Sequence, residues 1–127
     1  MKILTPISGP KPARDKADYV VSISRALDAE LHVLHIKAPG AQGGEEALSI
    51  FEGASAEGRV KYTGVIKEGS VVDTLSAYAE EVDADLIIMG ASAGKVITEW
   101  LMADFVVRSK WPMVVIPFGF EGEFDPE

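Results

Sequence analysis

Short apolar runs alternate with longer amphipathic segments along the whole chain. Five runs have the length and composition of β-strands, namely residues 2–7, 30–36, 59–65, 86–89 and 113–116. Apolar or small residues recur every three or four positions from Ala13 to Leu27 and again from Val71 to Val82, which predicts helices with one buried face. A further helical segment follows Gly94 and extends to about Ser109. This alternation indicates an α/β domain with a parallel sheet, right-handed crossovers and helices on both faces.

Polar positions complete this pattern. On the first helix the solvent side is predicted to hold Asp15, Lys16, Asp18 and Arg25. His32 and His35 interrupt the second strand, and we expect each imidazole to be a structural group satisfied by a hydrogen bond. Neither histidine stands at a spacing from acidic residues that indicates a metal site or a proton relay.

Two regions depart from the alternation. Residues 38–58 contain glycine at positions 40, 43, 44, 53 and 58, so we predict a mobile or functional loop with at most a short helix from Glu45 to Phe51. Residues 118–127 carry four acidic residues and are predicted to form an acidic tail. The remainder, residues 1–117, is predicted to form a single domain.

The composition narrows the class of protein. Of the 127 residues 47% are hydrophobic, and no apolar run approaches the roughly 18 residues of a membrane span. Pro6 and Gly9-Pro10 interrupt the apolar centre that a signal peptide needs, so we expect a cytoplasmic protein. The chain has no cysteine, which excludes disulfides, thiol catalysis and thiolate metal sites. A formal net charge of −8 opposes binding to nucleic acid or to anionic membranes.

The stretch 85–104 carries the candidate chemistry. Its apolar strand is followed by a small-residue turn, Gly90–Gly94, and then by a helical segment. In open parallel sheets such turns lie at the carboxyl edge, where ligands bind. The turn is therefore a candidate phosphate loop.

Four segments carry a resemblance to a known family. KILTPISG, LHVLHI, EGSVVDTLSAYAEEVDADLIIMG and WPMVVIP resemble, in order and spacing, segments of the universal stress proteins, over about residues 1–117. The resemblance implies an open five-stranded sheet of order 3-2-1-4-5, similar to the adenine nucleotide alpha hydrolase-like fold. In that order the crevice lies between Pro6–Gly9 and Met89–Gly94. The candidate ligand-binding residues are Pro6, Ser8, Ile36, Met89, Gly90, Ser92, Gly94 and Lys95.

The ATP-binding branch of this family has Gly, two residues, Gly, nine residues, Gly and then Ser or Thr after the fourth strand. Counting from Gly90 places Ala93, Ala103 and Asp104 at the three later positions, and a shift to Gly94 does not restore the final Gly-Ser. Where a glycine of the pattern has a positive φ, an alanine in its place costs roughly 1 kcal/mol. An aspartate near 4 Å from a phosphate charge is repelled by about 4 kcal/mol at an effective dielectric of 20. We therefore expect a degenerate nucleotide site.

Other residues favour a residual anion site. Ser92 and Lys95 flank the turn, and the following helix would offer its positive N-terminus to an anion. Ser8 stands where the family has an aspartate that helps to hold the nucleotide, and its hydroxyl could still bond a ribose or a base. No cofactor is certain from the sequence, and ATP and AMP stay open as ligands.

The last strand predicts a partner. Its residues are apolar and uncharged, and an unprotected apolar edge invites pairing with another strand; they are Met113, Val114, Val115 and Ile116. The resemblance also implies a homodimer through this edge, whereas Pro117 and the tail would cover it in a monomer.

Three functions stay open on the sequence. The first is a dimeric universal stress protein-like module for stress response or regulation, with no clear catalysis, acting through a protein partner or a small ligand other than ATP. The alternative is an ATP- or AMP-binding switch, or a slow ATPase, of the same fold. A redox or transfer enzyme of a related superfamily is least supported, because the chain carries no cofactor motif.

Overall fold

The computed structural model describes residues 1–37, 43–90, 105, 107–117, 120 and 124. Within these residues five parallel strands form one sheet in the order β3-β2-β1-β4-β5, which confirms the predicted topology. The strands are β1 Lys2–Ile7, β2 Glu30–Lys37, β3 Tyr62–Glu68, β4 Leu86–Gly90 and β5 Met113–Ile116. The helices with defined bounds are α1 Pro10–Ala26, α2 Gly44–Glu57 and α3 Val71–Glu81.

The two faces of the sheet bury different helices. Successive side chains of a strand point to opposite faces, so β1 places Ile3 in one core and Leu4 in the other. The first core lies under α1 and α2 and is completed by Val33 and Phe51. The second core lies under α3 and contains Leu75. Helices therefore cover both faces, as the alternation predicts.

Strand β3 begins three residues later than predicted. Arg59 has a positive φ of 57°, and the Val60 N–H donates to the Ser55 carbonyl at 2.9 Å. These features belong to the turn that ends α2. Residues 59–61, which the sequence pattern assigned to the strand, therefore connect α2 to β3, and pairing with β2 begins at Tyr62.

The short helix predicted from Glu45 to Phe51 is present but longer than expected, because α2 extends from Gly44 to Glu57, and the loop predicted for residues 52–57 is wrong. Ala47, Phe51 and Ser55 are buried at a spacing of four residues, which makes one continuous helical stripe. Phe51 is completely buried. The glycines concealed this stripe in the sequence, although Gly53 lies on the exposed side of the helix. Residues 38–42 lie outside the described residues.

The predicted acidic tail is also wrong at two aromatic residues. The Phe120 and Phe124 rings meet the Tyr19 ring of α1 edge-on, with centroids 4.9 and 6.3 Å away. The Phe124 N–H donates to the Ser22 hydroxyl at 2.7 Å. These contacts tie Phe120 and Phe124 to α1, where both rings pack against the core that also holds Ile116. The four acidic residues of the predicted tail lie outside the described residues.

The predicted helix after Gly94 lies largely outside the described residues. Phe105, Val107 and Arg108 are helical, and Phe105 is buried in the core beneath α3. Strand β5 lies at one edge of the sheet, where the dimer prediction needs it. In the part of the chain that the structure describes, no helix is long and apolar enough to cross a membrane.

Candidate functional site

Strand β1 pairs differently with its two neighbours. Within the described strands its partners on β2 run from Lys2 with Glu30 to Ile7 with His35, so the whole strand is paired. Its partners on β4 are Leu86 and Ile87, both near the start of that strand. Strands β1 and β4 therefore part toward their carboxyl ends. This is the switch point of the sheet, where a ligand crevice is expected.

Two residues of β1 account for the early end of this pairing. Pro6 has no N–H to donate to a neighbouring strand. The Thr5 side chain compensates, because its hydroxyl donates to the Ile88 carbonyl at 2.6 Å inside the core. A side-chain hydrogen bond thus joins the two strands just before they separate.

The predicted site residues are distributed around this crevice. Ser8 is exposed just beyond the end of β1, Pro6 is half-buried, and Gly90 ends β4 on the other side. Ile36 is half-buried near the end of β2, across β1 from Gly90. The Met89 side chain is 2% exposed and packs in the core beneath α3, so it can offer a ligand only its backbone.

The remaining predicted positions lie outside the described residues: Ser92, Ala93, Gly94, Lys95, Ala103 and Asp104. The comparison of this turn with the ATP-binding pattern therefore stays a prediction from sequence.

The start of α1 lies at the same edge of the sheet. Gly9 caps the helix with an extended backbone, φ 175°, and its carbonyl accepts the Ala13 N–H at 3.1 Å. Pro10 opens the first turn, where its missing N–H is not needed. The positive end of the helix dipole is thus held beside Ser8, and it favours negative charge there.

His35 anchors the paired side of β1. Its Nδ1 lies 3.0 Å from the Ile7 carbonyl oxygen, and the ring is 2% exposed. The first residue of α2 lies against this ring, because a Cβ built on Gly44 would approach the His35 Cδ2 to 2.3 Å. The prediction that His35 is a satisfied structural group is confirmed.

His32 behaves differently from the prediction. Its ring nitrogens are buried and have no hydrogen-bond partner among the described residues, although Nε2 lies 3.5 Å from a Glu30 carboxylate oxygen. A hydrogen bond from Lys61 lowers the pKa of that carboxyl group. The expected hydrogen bond to His32 is therefore absent from the described structure, and only a longer contact with Glu30 is present.

Lys16 is the residue that sequence reasoning placed wrongly. It is half-buried rather than on the solvent side of α1. Its side chain lies over Gly90, because a Cβ built there would be 2.0 Å from the Lys16 Nζ and 2.2 Å from its Cε. Burial lowers the pKa of this ammonium. The signal in the sequence was its place beside the small, buried Ala13 and Ala17, which leave room for a long stem.

A second cavity lies away from this edge. It has a volume of about 350 Å³ and separates α3 from the segment that leads into β5. Val72, Phe105 and Trp111 give it apolar walls, and an ion pair between Lys110 and Glu80 stands on its rim. Among the described residues no group of three or more His, Asp or Glu side chains could hold a metal ion.

An open parallel sheet with helices on both faces and a crevice at the switch point defines a doubly wound α/β protein. The family model described as the universal stress protein family matches residues 1–117. The chain therefore belongs to the universal stress protein family, as its sequence motifs predict.

Individual relatives agree with this assignment. The universal stress protein Sll1654 of Synechocystis sp. is 26% identical and covers 91% of this chain and 84% of its own length. A universal stress protein in complex with cAMP has a TM-score of 0.74 at 23% identity, covering 92% of this chain and 96% of that protein. The universal stress protein from Archaeoglobus fulgidus in complex with dAMP has a TM-score of 0.72 at 16% identity, covering 91% and 97%. At these identities the structural matches show the fold.

Proposed function

We propose that this chain is a regulatory universal stress protein that binds an adenine nucleotide with a single phosphate and acts through binding rather than catalysis. The observation that carries the proposal is the parting of β1 from β4 at the switch point, between Ser8 and Gly90. Relatives of the same fold are in complex with cAMP and dAMP, which each carry one phosphate. The proposal places the protein in the cytoplasm, where such nucleotides are formed and consumed.

The preference for one phosphate follows from the turn after β4. A triphosphate needs several backbone or hydroxyl donors around its phosphates. The sequence instead has Ala93, Ala103 and Asp104 at the positions where the ATP-binding pattern has two glycines and a hydroxyl. A nucleoside monophosphate depends less on these donors, because it brings one phosphate group to the crevice.

Isothermal titration calorimetry tests this function. Titrations with AMP, cAMP and ATP are compared, with and without magnesium. We expect saturable binding of AMP or cAMP and weaker binding of ATP. A triple variant with Ala93→Gly, Ala103→Gly and Asp104→Ser should gain ATP affinity. Tight, magnesium-dependent binding of ATP by the unaltered protein, with release of phosphate, would favour the alternative of an ATP switch or a slow ATPase.

A homodimer through β5 is part of the same proposal. Val115 of this edge strand is 47% exposed, and Met113 and Val114 are half-buried. An exposed apolar edge is a ready surface for pairing with a second copy about a two-fold axis. Light scattering at tens of micromolar should show a dimer that Val115→Lys dissociates. Thr63→Lys on β3, the other edge of the sheet, is the control and should leave the dimer intact. A monomeric unaltered protein would rule this interface out.

A further inference from the structure

The Lys16 side chain places a cationic group in the crevice. Lys16 points from α1 toward the carboxyl end of β4, and its terminal atoms lie over Gly90. The ammonium is half-buried, so it has given up part of its hydration. A lysine can usually keep its charged end in water while its stem covers apolar surface. Here the charged end itself is partly covered.

Among the described residues only the charge of Asp15 acts against this burial, and its effect is the smaller one. Among the described residues, Lys16 makes no hydrogen bond and no ion pair. Its neighbour Asp15 has another partner, because an Asp15 carboxylate oxygen lies 3.3 Å from the Lys11 Nζ. A strong ion pair would raise the pKa of Lys16, whereas burial lowers it and outweighs the effect of Asp15.

Gly90 has a specific role in this arrangement. Any larger residue would place its Cβ within 2.0 Å of the Lys16 Nζ and 2.9 Å of its Cδ. The φ of Gly90 is outside the positive range, so the glycine is not needed for a left-handed turn. It leaves the space in which the lysine side chain lies at the end of β4. Lys16 and Gly90 are therefore in contact at the end of β4, beyond the residues where β1 and β4 pair.

We propose that the Lys16 ammonium binds the phosphate of the nucleotide in this crevice and offsets the departures of Ala93, Ala103 and Asp104 from the ATP-binding pattern. The identity of the ligand in this inference rests on the proposed function. The choice of Lys16 rests on the contacts of its side chain with Gly90. A single ammonium contributes one point charge with up to three donors to a phosphate. One such group suits one phosphate and gives a reason for the preference over ATP.

The main experiment measures the affinities of AMP and adenosine by calorimetry. Lys16→Met keeps an unbranched side chain that is one heavy atom shorter, and it removes the ammonium and its charge. We expect a loss of roughly 10- to 100-fold in AMP affinity, the range that corresponds to one charged hydrogen bond. Adenosine has no phosphate, so its affinity should stay within about twofold. Lys61→Met is the matched control, because Lys61 is exposed before β3, at the opposite end of the sheet, and this variant should leave both affinities unchanged.

A second variant moves the charge instead of removing it. Gly90→Ala should displace the end of the flexible Lys16 side chain from its place over β4 without unfolding the protein, because the three heavy atoms nearest to the new methyl group all belong to that side chain. We expect AMP affinity to fall while adenosine affinity is retained. If Lys16→Met weakens AMP and adenosine equally, or if Lys61→Met weakens AMP as much, Lys16 is not the phosphate ligand.

A further measurement tests the anion site at Lys16 independently of nucleotide binding. The Lys16 side-chain signal is assigned by NMR from its loss in Lys16→Met, and inorganic phosphate is then titrated. A saturable shift of this signal supports an anion site at Lys16 even if the unaltered protein binds no adenine nucleotide, in which case only the proposed function fails. A signal that phosphate does not move overturns the assignment of Lys16.

Discussion

The two sides of β1 differ although they share one strand. On the side of β2 the ladder runs to the last residue of β1, and the buried His35 ring closes its end by bonding the Ile7 carbonyl. On the side of β4 the paired residues stop at Leu4, and a half-buried lysine covers the end of the neighbouring strand. A buried imidazole ring fills the first flank, whereas the half-buried end of a lysine side chain occupies the second.

The β2 side of β1 therefore contributes mainly to stability, whereas the adjacent β4 side is suited to binding a ligand. Paired backbone groups and a buried ring stabilise the β2 flank and leave no room for a ligand. Unpaired strand ends and a partly desolvated cation on the β4 flank stabilise the unliganded protein less, and they offer polar groups to a ligand instead. We call these the closed flank and the open flank, and the following variants test the contrast between them.

The largest effect is expected on the closed flank from Phe51→Ala. Phe51 is the fully buried aromatic residue of α2, so truncation should lower the free energy of unfolding by about 3–5 kcal/mol. Ser49→Ala, at an exposed position of the same helix, should change it little. Urea denaturation measures both variants. A loss below about 1 kcal/mol for Phe51→Ala would contradict a packed α2.

A smaller loss is expected from Gly44→Ala. The added methyl group would meet the anchored His35 ring at 2.3 Å, and such overpacking costs about 1–3 kcal/mol. Gly53→Ala lies in the same helix with no neighbour within 4 Å, so it should instead stabilise by about 0.5–1 kcal/mol. Thermal and urea denaturation should therefore give opposite signs. Equal effects would show that His35 does not hold α2 in place.

On the open flank, Thr5→Val removes the hydroxyl that bonds the Ile88 carbonyl. The shape of the side chain is kept, and we expect a loss of about 1 kcal/mol, since a buried acceptor is left without its donor. Thr63→Val, at an exposed position of β3, is the control and should be close to neutral. Hydrogen exchange should accelerate in β4 and much less in β2. Uniform acceleration across the sheet would argue against a separate open flank.

The smallest effect concerns pH and the unliganded protein. Burial lowers the pKa of Lys16 below 10.5, so the folded state releases this proton at lower pH than the unfolded state does. The contribution of Lys16 to stability therefore rises as the pH increases through its folded pKa toward 10.5. Lys16→Met should be slightly more stable than the unaltered protein at pH 7, and that advantage should shrink with increasing pH.

The titration of Tyr62 changes stability with pH in the opposite direction, and it does so equally in the unaltered protein and in Lys16→Met. Burial, with a smaller effect from Glu52, raises its pKa to about 12, so its contribution to stability falls as the pH rises above 10. The difference between Lys16→Met and the unaltered protein cancels this effect. A difference in urea stability that grows between pH 7 and pH 10 would contradict the burial of Lys16.

The sequence predicted the parts of this contrast that depend on local pattern. The continuous apolar run of β4 identified a buried parallel strand, and its position before a small-residue turn identified the carboxyl edge. It predicted only the short segment from Glu45 to Phe51 of α2, because frequent glycines outweighed the buried stripe of Ala47, Phe51 and Ser55. It also missed Lys16, whose burial depends on Gly90, a residue that is remote along the chain and adjacent only after folding.

The most direct test of the open flank is amide chemical-shift mapping by NMR with AMP. We expect saturating AMP to move the amide signals of Ser8, Gly9 and Gly90, while those of β3 and the Trp111 indole stay unchanged. Shifts concentrated at Trp111 and Ser76, in the cavity beside α3, would place the ligand elsewhere. Either that result or unchanged spectra at millimolar AMP would contradict a nucleotide site between β1 and β4.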